Sequence, residues 1–176
     1  IRLTEQFASE LGHPSTTISP DRLRALDPDT ETLEAGVESI QYVNAVGGES
    51  RPITPPWRLT PELARFVGLA VAEANIDGGR IKFDNTDDDL CDAFAESARS
   101  LFGLDPKRGT QKGVPYVAVR SQTLTHLLRE SFDVFRSASG GPGIGSTLVA
   151  GDDESRAAFL RAMFDGEAHV SDNGIV

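Results

Sequence analysis

The sequence contains little cysteine, little lysine and no long hydrophobic run. With Cys91 as its one cysteine, the chain has neither an internal disulfide framework nor a cysteine-rich zinc site, and we expect Cys91 to be a buried helix residue. No apolar run approaches the roughly 20 residues that cross a bilayer, and the start lacks the basic-then-apolar order of a signal peptide. We therefore expect a soluble, cytoplasmic chain. Because Met163 is its one methionine, we also expect it to be part of a longer polypeptide.

Positive charge is also scarce. The chain has 27 acidic and 17 basic residues, a net charge of -10, whereas proteins that bind nucleic acids are usually basic. Only three of the basic residues are lysines. Few lysines beside many acidic residues resemble the composition of proteins from halophilic archaea, whose surfaces are acidic whatever their function. The overall charge therefore excludes little, and the local placement of basic residues matters more.

The 176 residues, 39% of them hydrophobic, suffice for one domain with a proper core. Residues 1–56 show no strong period, with a possible helix within Ile18 to Gly36 and a strand from Glu38 to Val46. Residues 47–62 contain four prolines, which predict a loop and mark a boundary. The predicted parts are an N-terminal segment of uncertain role (1–56), a main unit (57–150) and the start of a second unit (151–176).

The main unit reads as helix, strand, helix, hairpin, helix. Thr60 caps a helix with Pro61 at its first position, which runs to about Glu73. A strand from Gly78 to Asn85 and a hairpin from Leu104 to Ser121 alternate strictly. The alternation predicts one outer face and one buried face: Arg80, Lys82, Asp84, Tyr116, Ala118 and Arg120 share the outer face, and Ile81, Phe83, Val117 and Val119 the buried one.

Caps and stops predict the remaining helices. Thr86 or Asn85 caps the second helix, which stops at Gly103. Ser121 caps a third helix that runs through about Phe135. A glycine-rich connector, residues 137–146, then leads to a last helix that begins near Asp152 or Asp153.

One helix pattern occurs twice. Aligning Glu73 of "FVGLAVAEAN" with Glu167 of "FLRAMFDGEAH" places small residues four apart in both copies, Gly68 and Ala72 in the first, Ala162 and Gly166 in the second. Small residues at this spacing let two helix backbones approach closely. Two such helices in contact would bring both carboxylates to the same end, where their oxygens suit a hard divalent cation.

The repeated pattern, together with the basic strand "GRIKFDN" that follows its first copy, resembles the LAGLIDADG homing endonuclease family, in particular the intein-encoded members. The resemblance covers Leu59 to about Val176. It implies an α/β fold of αββαββα repeats with an antiparallel saddle sheet, the second repeat truncated. It implies hydrolysis of double-stranded DNA with Mg²⁺. It assigns Glu73 and Glu167 as metal ligands and catalytic residues with Lys82, and it assigns DNA contacts to Arg80, Lys82, Lys107, Arg108, Lys112 and Arg120.

Two alternatives remain open: a LAGLIDADG-like DNA-binding or regulatory protein without cleavage, and an acidic α/β interaction domain that binds no nucleic acid. Ala74 and Ala168 stand where the motif ends in glycine, which bears on the first alternative. Thr123 to His126 match the Thr-x-x-His of an intein splicing block, but on a helix we expect His126 to be a surface residue. Residues 140–145 hint at a phosphate loop but lack the following lysine.

Overall fold

The computed structural model describes residues 1–44, 48, 50–134, 145–167, 170–171 and 174–175, the last four as backbone only. The N-terminal part has strands β1 (Arg2–Leu3) and β2 (Val37–Ser39), paired antiparallel, and helices α1 (Glu5–Glu10), α2 (Pro20–Ala25) and α3 (Thr30–Gly36). The predicted helix within Ile18 to Gly36 is thus present as two. A small core of its own, which includes Phe7, Leu23 and Val37, holds this part together.

The predicted strand from Glu38 to Val46 is only partly right. Strand β2 ends at Ser39, and Ile40 then forms an isolated β-bridge with Ile53, where the prolines predict a loop. Ile40 and Ile53 exchange both backbone hydrogen bonds, each 2.9 Å long, and the Ser50 amide donates to the Tyr42 carbonyl at 3.0 Å. We call the two described stretches, residues 40–44 and 50–53, the N-terminal hairpin.

The main unit consists of α4 (Pro61–Glu73), β3 (Ala74–Asp77), β4 (Arg80–Asp84), α5 (Asp88–Phe102), β5 (Lys107–Gln111), β6 (Val114–Arg120) and α6 (Gln122–Phe132). This is the order αββαββα. The four strands pair in the order β3, β4, β6, β5, and every pair is antiparallel. The prediction of a mixed α/β chain with an antiparallel sheet is therefore confirmed.

Some predicted bounds hold and others do not. Thr60 caps α4, its hydroxyl accepting from the Leu63 amide at 3.2 Å. The cap predicted for α5, Thr86 or Asn85, is wrong, since Asp87 caps the helix. The Asn85 side chain instead accepts from the Asp87 amide at 2.8 Å, in the turn before the helix. Helix α6 ends at Phe132 rather than Phe135, because Asp133 adopts a left-handed φ of 54°.

The chain continues with α7 (Ser146–Val149), α8 (Asp153–Glu167), β7 (Val170–Ser171) and β8 (Gly174–Ile175), the last two paired antiparallel. Asp152 caps α8, as predicted, by accepting from the Ser155 amide at 2.7 Å. The predicted glycine-rich connector lies almost wholly outside the described residues. None of the helices in the described ranges is both long and apolar enough to span a bilayer.

The larger hydrophobic core lies between the helices and one face of the four-stranded sheet. The Phe94 ring stacks on those of Phe66 and Phe83, with its centroid 4.8 Å from each of theirs. Cys91 is buried in the same core, as predicted. Ile81, Phe83, Val117 and Val119 all point into this core, which confirms the predicted alternation. The opposite side, which we call the outer face, carries the alternate residues of each strand: Asn75, Asp77, Arg80, Lys82, Asp84, Lys107, Gly109, Gln111, Val114, Tyr116, Ala118 and Arg120.

Candidate functional site

The two copies of the repeated pattern, α4 and α8, lie in direct contact. A Cβ atom at Gly68 would lie 2.5 Å from the carbonyl oxygen of Phe159 and 2.9 Å from the Cβ of Ala162. A Cβ at Gly166 would lie 2.7 Å from the Cβ of Ala72. Both glycines are therefore required by the close approach of the two backbones. Small residues at both levels bring the helix ends together.

Glu73 and Glu167 are the last residues of α4 and α8, and both line one cleft of about 530 Å³. Burial raises the pKa of Glu73 above its usual value, and the negative charges of Glu167 and Asp84 raise the pKa further. This repulsion means that the two glutamates are near enough to interact. A bound cation would relieve it.

The site offers side-chain oxygens but few of them. Asp84, Asp87 and Asp165 line the same cleft. Even so, within the described ranges no three Asp, Glu, His or Cys side chains come close enough together to hold a metal ion. The fit is therefore to a cation that takes one or two carboxylates and completes its shell with water or phosphate oxygens, as Mg²⁺ does.

The outer face is basic in a chain that is strongly acidic. It carries four cationic side chains, Arg80, Lys82, Lys107 and Arg120, against two carboxylates, Asp77 and Asp84. Lys112, in the turn after β5, is exposed and adopts a left-handed φ of 53°. Lys107 and Arg120 are exposed as well, whereas Arg80 is half-buried with its guanidinium carbon 5.9 Å from the Tyr116 ring centroid. The outer face thus carries a net positive charge, unlike the chain as a whole.

Lys82 is held more firmly than sequence reasoning indicated. Its ammonium forms an ion pair with Asp84, donates to Gln111 Oε1 at 2.6 Å and lies 4.8 Å from the centroid of the Tyr116 ring. The side chain is 15% exposed. Since Asp84 also lines the Glu73 cleft, Lys82 joins the basic outer face to the acidic cleft. Its predicted catalytic role stays a prediction.

Arg108, to which the resemblance assigns a DNA contact, does not lie on the outer face, and that contact stays a prediction. Strand β5 alternates, so that Lys107 and Gly109 lie on the outer face and Arg108 on the side that faces the helices. There Arg108 forms an ion pair with Asp92 of α5. The sequence could not identify this partner, because Arg108 and Asp92 meet only through the packing of α5 on the sheet.

Thr123 and His126 dock the N-terminal hairpin rather than forming a surface pair. The Thr123 hydroxyl accepts from the Tyr42 amide at 2.9 Å and donates to the Arg51 carbonyl at 3.0 Å, and the Thr123 amide donates to Ser50 Oγ at 3.3 Å. The His126 ring stacks on the Tyr42 ring with centroids 4.1 Å apart. His126 is therefore half-buried, contrary to the expectation that it lies on the helix surface.

Comparison with known proteins gives one distant likeness. No family model matches the chain. A curated protein from Methanopyrus kandleri, named as the B subunit of an A-type ATP synthase, is 29% identical over 149 residues, which are 83% of this chain and 14% of that protein. The chain thus spans about one seventh of the length of the relative that it matches.

This likeness corrects the functional prediction. The relative is named as part of an ATP synthase, which contradicts the predicted site-specific DNA endonuclease. The repeated motif led to that prediction because it is a pattern of helix packing, and small residues four apart indicate how closely two backbones approach, whatever the chemistry at their ends.

Proposed function

We propose that the unit from Pro61 to Glu167 has the LAGLIDADG fold and acts as a binding module for double-stranded DNA, with a divalent cation held at its helix ends. The order αββαββα, the antiparallel four-stranded sheet and the contact between the two copies of the motif support the fold. The helix α8 and the short β7 and β8 pair repeat the opening α4, β3, β4 of the main unit.

The observation that carries the DNA proposal is the separation of charge. Cationic side chains outnumber carboxylates two to one on the outer face, whereas acidic residues exceed basic ones by ten in the chain as a whole. Phosphate contacts dominate the affinity of proteins for DNA. A twisted antiparallel ribbon can enter the major groove. Exposed Lys107, Lys112 and Arg120 supply the phosphate contacts. The half-buried Tyr116 lies on β6 between Arg120 and the turn that carries Lys112, and Arg80 lies beside Arg120 on β4.

The cation proposal rests on the Glu73 and Glu167 pair. Two like charges at the edge of a shared cleft destabilise each other, and a Mg²⁺ ion would bind both while keeping waters in its remaining positions. Phosphate oxygens of DNA on the outer face can take the place of such waters. The cation therefore strengthens DNA binding by screening the acidic cleft from the phosphates.

Fluorescence anisotropy of a labelled DNA duplex tests the DNA proposal. We expect the affinity to fall with salt along a straight line in a double-logarithmic plot, and Arg120→Ala to reduce the magnitude of its slope by about 0.9, the value for one lost phosphate contact. Arg22→Ala is the matched control, because Arg22 is exposed on α2, outside the sheet. An affinity that does not depend on salt contradicts the proposal.

Calorimetric titration with Mg²⁺ tests the cation site. We expect one saturable site that Glu73→Gln and Glu167→Gln each weaken at least tenfold, because each removes a charged ligand from a site with two. Asp165→Asn is the control, since Asp165 is exposed and lines the same cleft. Equal weakening by all three changes would mean that the cleft attracts cations only diffusely.

The likeness to part of an ATP synthase favours a second candidate, a segment of an ATP synthase that contributes to nucleotide binding. Titration of the chain with ATP and with ADP separates the two candidates. Saturable nucleotide binding without DNA binding supports the second. DNA binding that ATP does not displace at equal ionic strength supports the first.

A further inference from the structure

The N-terminal hairpin meets the main unit at the end of the sheet that lies away from the glutamate pair. Glu73 precedes Ala74, which pairs with Phe83, whereas Arg80 and Arg120 pair with each other at the opposite end of β4 and β6. At that end the Ser121 amide donates to the Gly79 carbonyl at 2.9 Å, which fixes the start of α6 against the turn between β3 and β4.

The hairpin is attached to this end by side chains and backbone together. Thr123 bonds to the backbone of both of its arms, at Tyr42 and at Arg51, and the Tyr42 ring covers the His126 ring. Thr123 follows Arg120 by three residues, and three residues span at most about 10 Å. The Arg51 carbonyl, 3.0 Å from the Thr123 hydroxyl, is therefore close to the end of β6.

This placement brings the backbone of a third arginine, Arg51, near the end of the sheet where Arg80 and Arg120 pair. Arg51 is exposed, Arg120 is exposed and Arg80 is half-buried on the outer face. The carboxylate that faces them on the sheet is Asp77, which is paired in register with Arg80. At this end of the sheet two arginines, Arg80 and Arg120, stand against one carboxylate, Asp77.

We infer that the N-terminal hairpin is part of the DNA-binding surface, and that Arg51 contacts a backbone phosphate beyond the Arg80 and Arg120 end of the sheet. This inference rests on the proposed DNA binding. It gives residues 40–44 and 50–53 a function that the sequence left open. A DNA duplex that follows the sheet would thus extend past the main unit onto the N-terminal part of the chain. The docking at Thr123 fixes the position of Arg51, so that its phosphate contact requires no ordering of a free loop.

The test is the salt dependence of duplex binding for the full chain and four substitutions at exposed arginines, Arg51→Ala, Arg51→Lys, Arg120→Ala and Arg22→Ala. Arg51→Ala is expected to reduce the magnitude of the double-logarithmic slope by about 0.9, and Arg51→Lys to restore it, because one phosphate contact depends on the charge. Arg22→Ala makes the same change of net charge on α2 and is expected to leave the slope unchanged.

The outcomes separate this inference from the proposed function. A reduced slope for Arg120→Ala with no effect of Arg51→Ala overturns the inference and leaves the proposed DNA binding intact. Equal reductions for Arg51→Ala and Arg22→Ala also overturn it, because they would reflect net charge alone. No binding by the unsubstituted chain overturns both.

Discussion

Gly68 of α4 lies against the carbonyl oxygen of Phe159 in α8, so closely that a Cβ atom at position 68 would be 2.5 Å away from it. Real Cβ atoms do not come this close to another heavy atom. The carbonyl oxygen belongs to the backbone and cannot rotate away as a side chain can. The distance between α4 and α8 is thus set at this position, and with it the relative position of Glu73 and Glu167 further along the same two helices.

We expect Gly68→Val to reduce the free energy of unfolding by about 1–3 kcal/mol, the usual cost of forcing extra carbon atoms into a packed interface. Valine favours helix more than glycine does, so a loss of stability would come from the helix contact. Urea unfolding measures the change in the free energy of unfolding. Ala157→Val, at an exposed position of α8, is the control and should change stability by less than about 0.5 kcal/mol. Equal effects of both changes would show that the helices are not closely packed at Gly68.

Lys107 and Arg108 are neighbours on β5, and we expect their substitution by alanine to affect DNA binding differently. Lys107→Ala should weaken duplex binding and lower the magnitude of the salt slope by about 0.9, because Lys107 is exposed on the outer face. Arg108→Ala should leave the slope unchanged and cost about 0–1 kcal/mol of stability, since its ion pair with Asp92 is partly exposed. Anisotropy and urea unfolding of both variants check this pair. If Arg108→Ala changes the slope more than Lys107→Ala does, the DNA does not bind the outer face of the sheet.

Local patterns predicted what local physics determines. The bounds of α4 follow from Thr60, Pro61 and the apolar run that ends at Glu73, all of which act within one helix. The inward Val117 and Val119 follow from strict alternation along β6, since a strand that is half-buried must put every second residue into the core. These features could therefore be predicted from the sequence.

Tertiary contacts determined the rest. Strand β3 begins directly after α4, and no turn residue separates them. The strand forms there because its residues pair with β4, a tertiary contact. The second arm of the N-terminal hairpin contains Pro52, and a proline in a run argues against a strand unless the backbone partner is known. The partner of Arg108 likewise depends on how α5 lies on the sheet. None of these contacts has a signal in a single sequence.

Thr123 provides a test of the docked hairpin. Thr123→Val removes the hydroxyl that accepts from the Tyr42 amide and donates to the Arg51 carbonyl, and it keeps the shape of the side chain. We expect a loss of about 1–3 kcal/mol, because two backbone groups lose their partner. Hydrogen exchange of the Tyr42 amide should become faster, since that amide loses its acceptor.

Thr125→Val is the matched control for this change. Thr125 is also buried in α6, but its hydroxyl donates only to the Ser121 carbonyl within the same helix turn. We expect it to leave the exchange of the Tyr42 amide unchanged. If both variants accelerate that exchange equally, the hairpin is not held by Thr123.

Glu73→Gln should make the protein more stable at neutral pH and leave its stability unchanged in acid. The pKa of Glu73 is raised in the folded chain, by burial first and then by the charges of Glu167 and Asp84. Below the usual value of 4.5 the carboxyl is protonated in both the folded and the unfolded chain, so glutamate and glutamine behave alike. As the pH rises from there through the raised pKa, ionisation favours the unfolded chain, and native stability is lost. The gain from glutamine should therefore grow over this range and stay constant above it.

Urea unfolding of the unsubstituted chain and of Glu73→Gln between pH 4 and 8 measures this difference in stability. Repeating the series with Mg²⁺ connects the prediction to the cation site. A cation bound by Glu73 and Glu167 stabilises the folded, ionised pair, so Mg²⁺ should reduce the advantage of glutamine above the raised pKa and should have no such effect below pH 4.5. If the advantage of glutamine is the same with and without Mg²⁺, the repulsion between the two glutamates is real but the pair does not bind the cation.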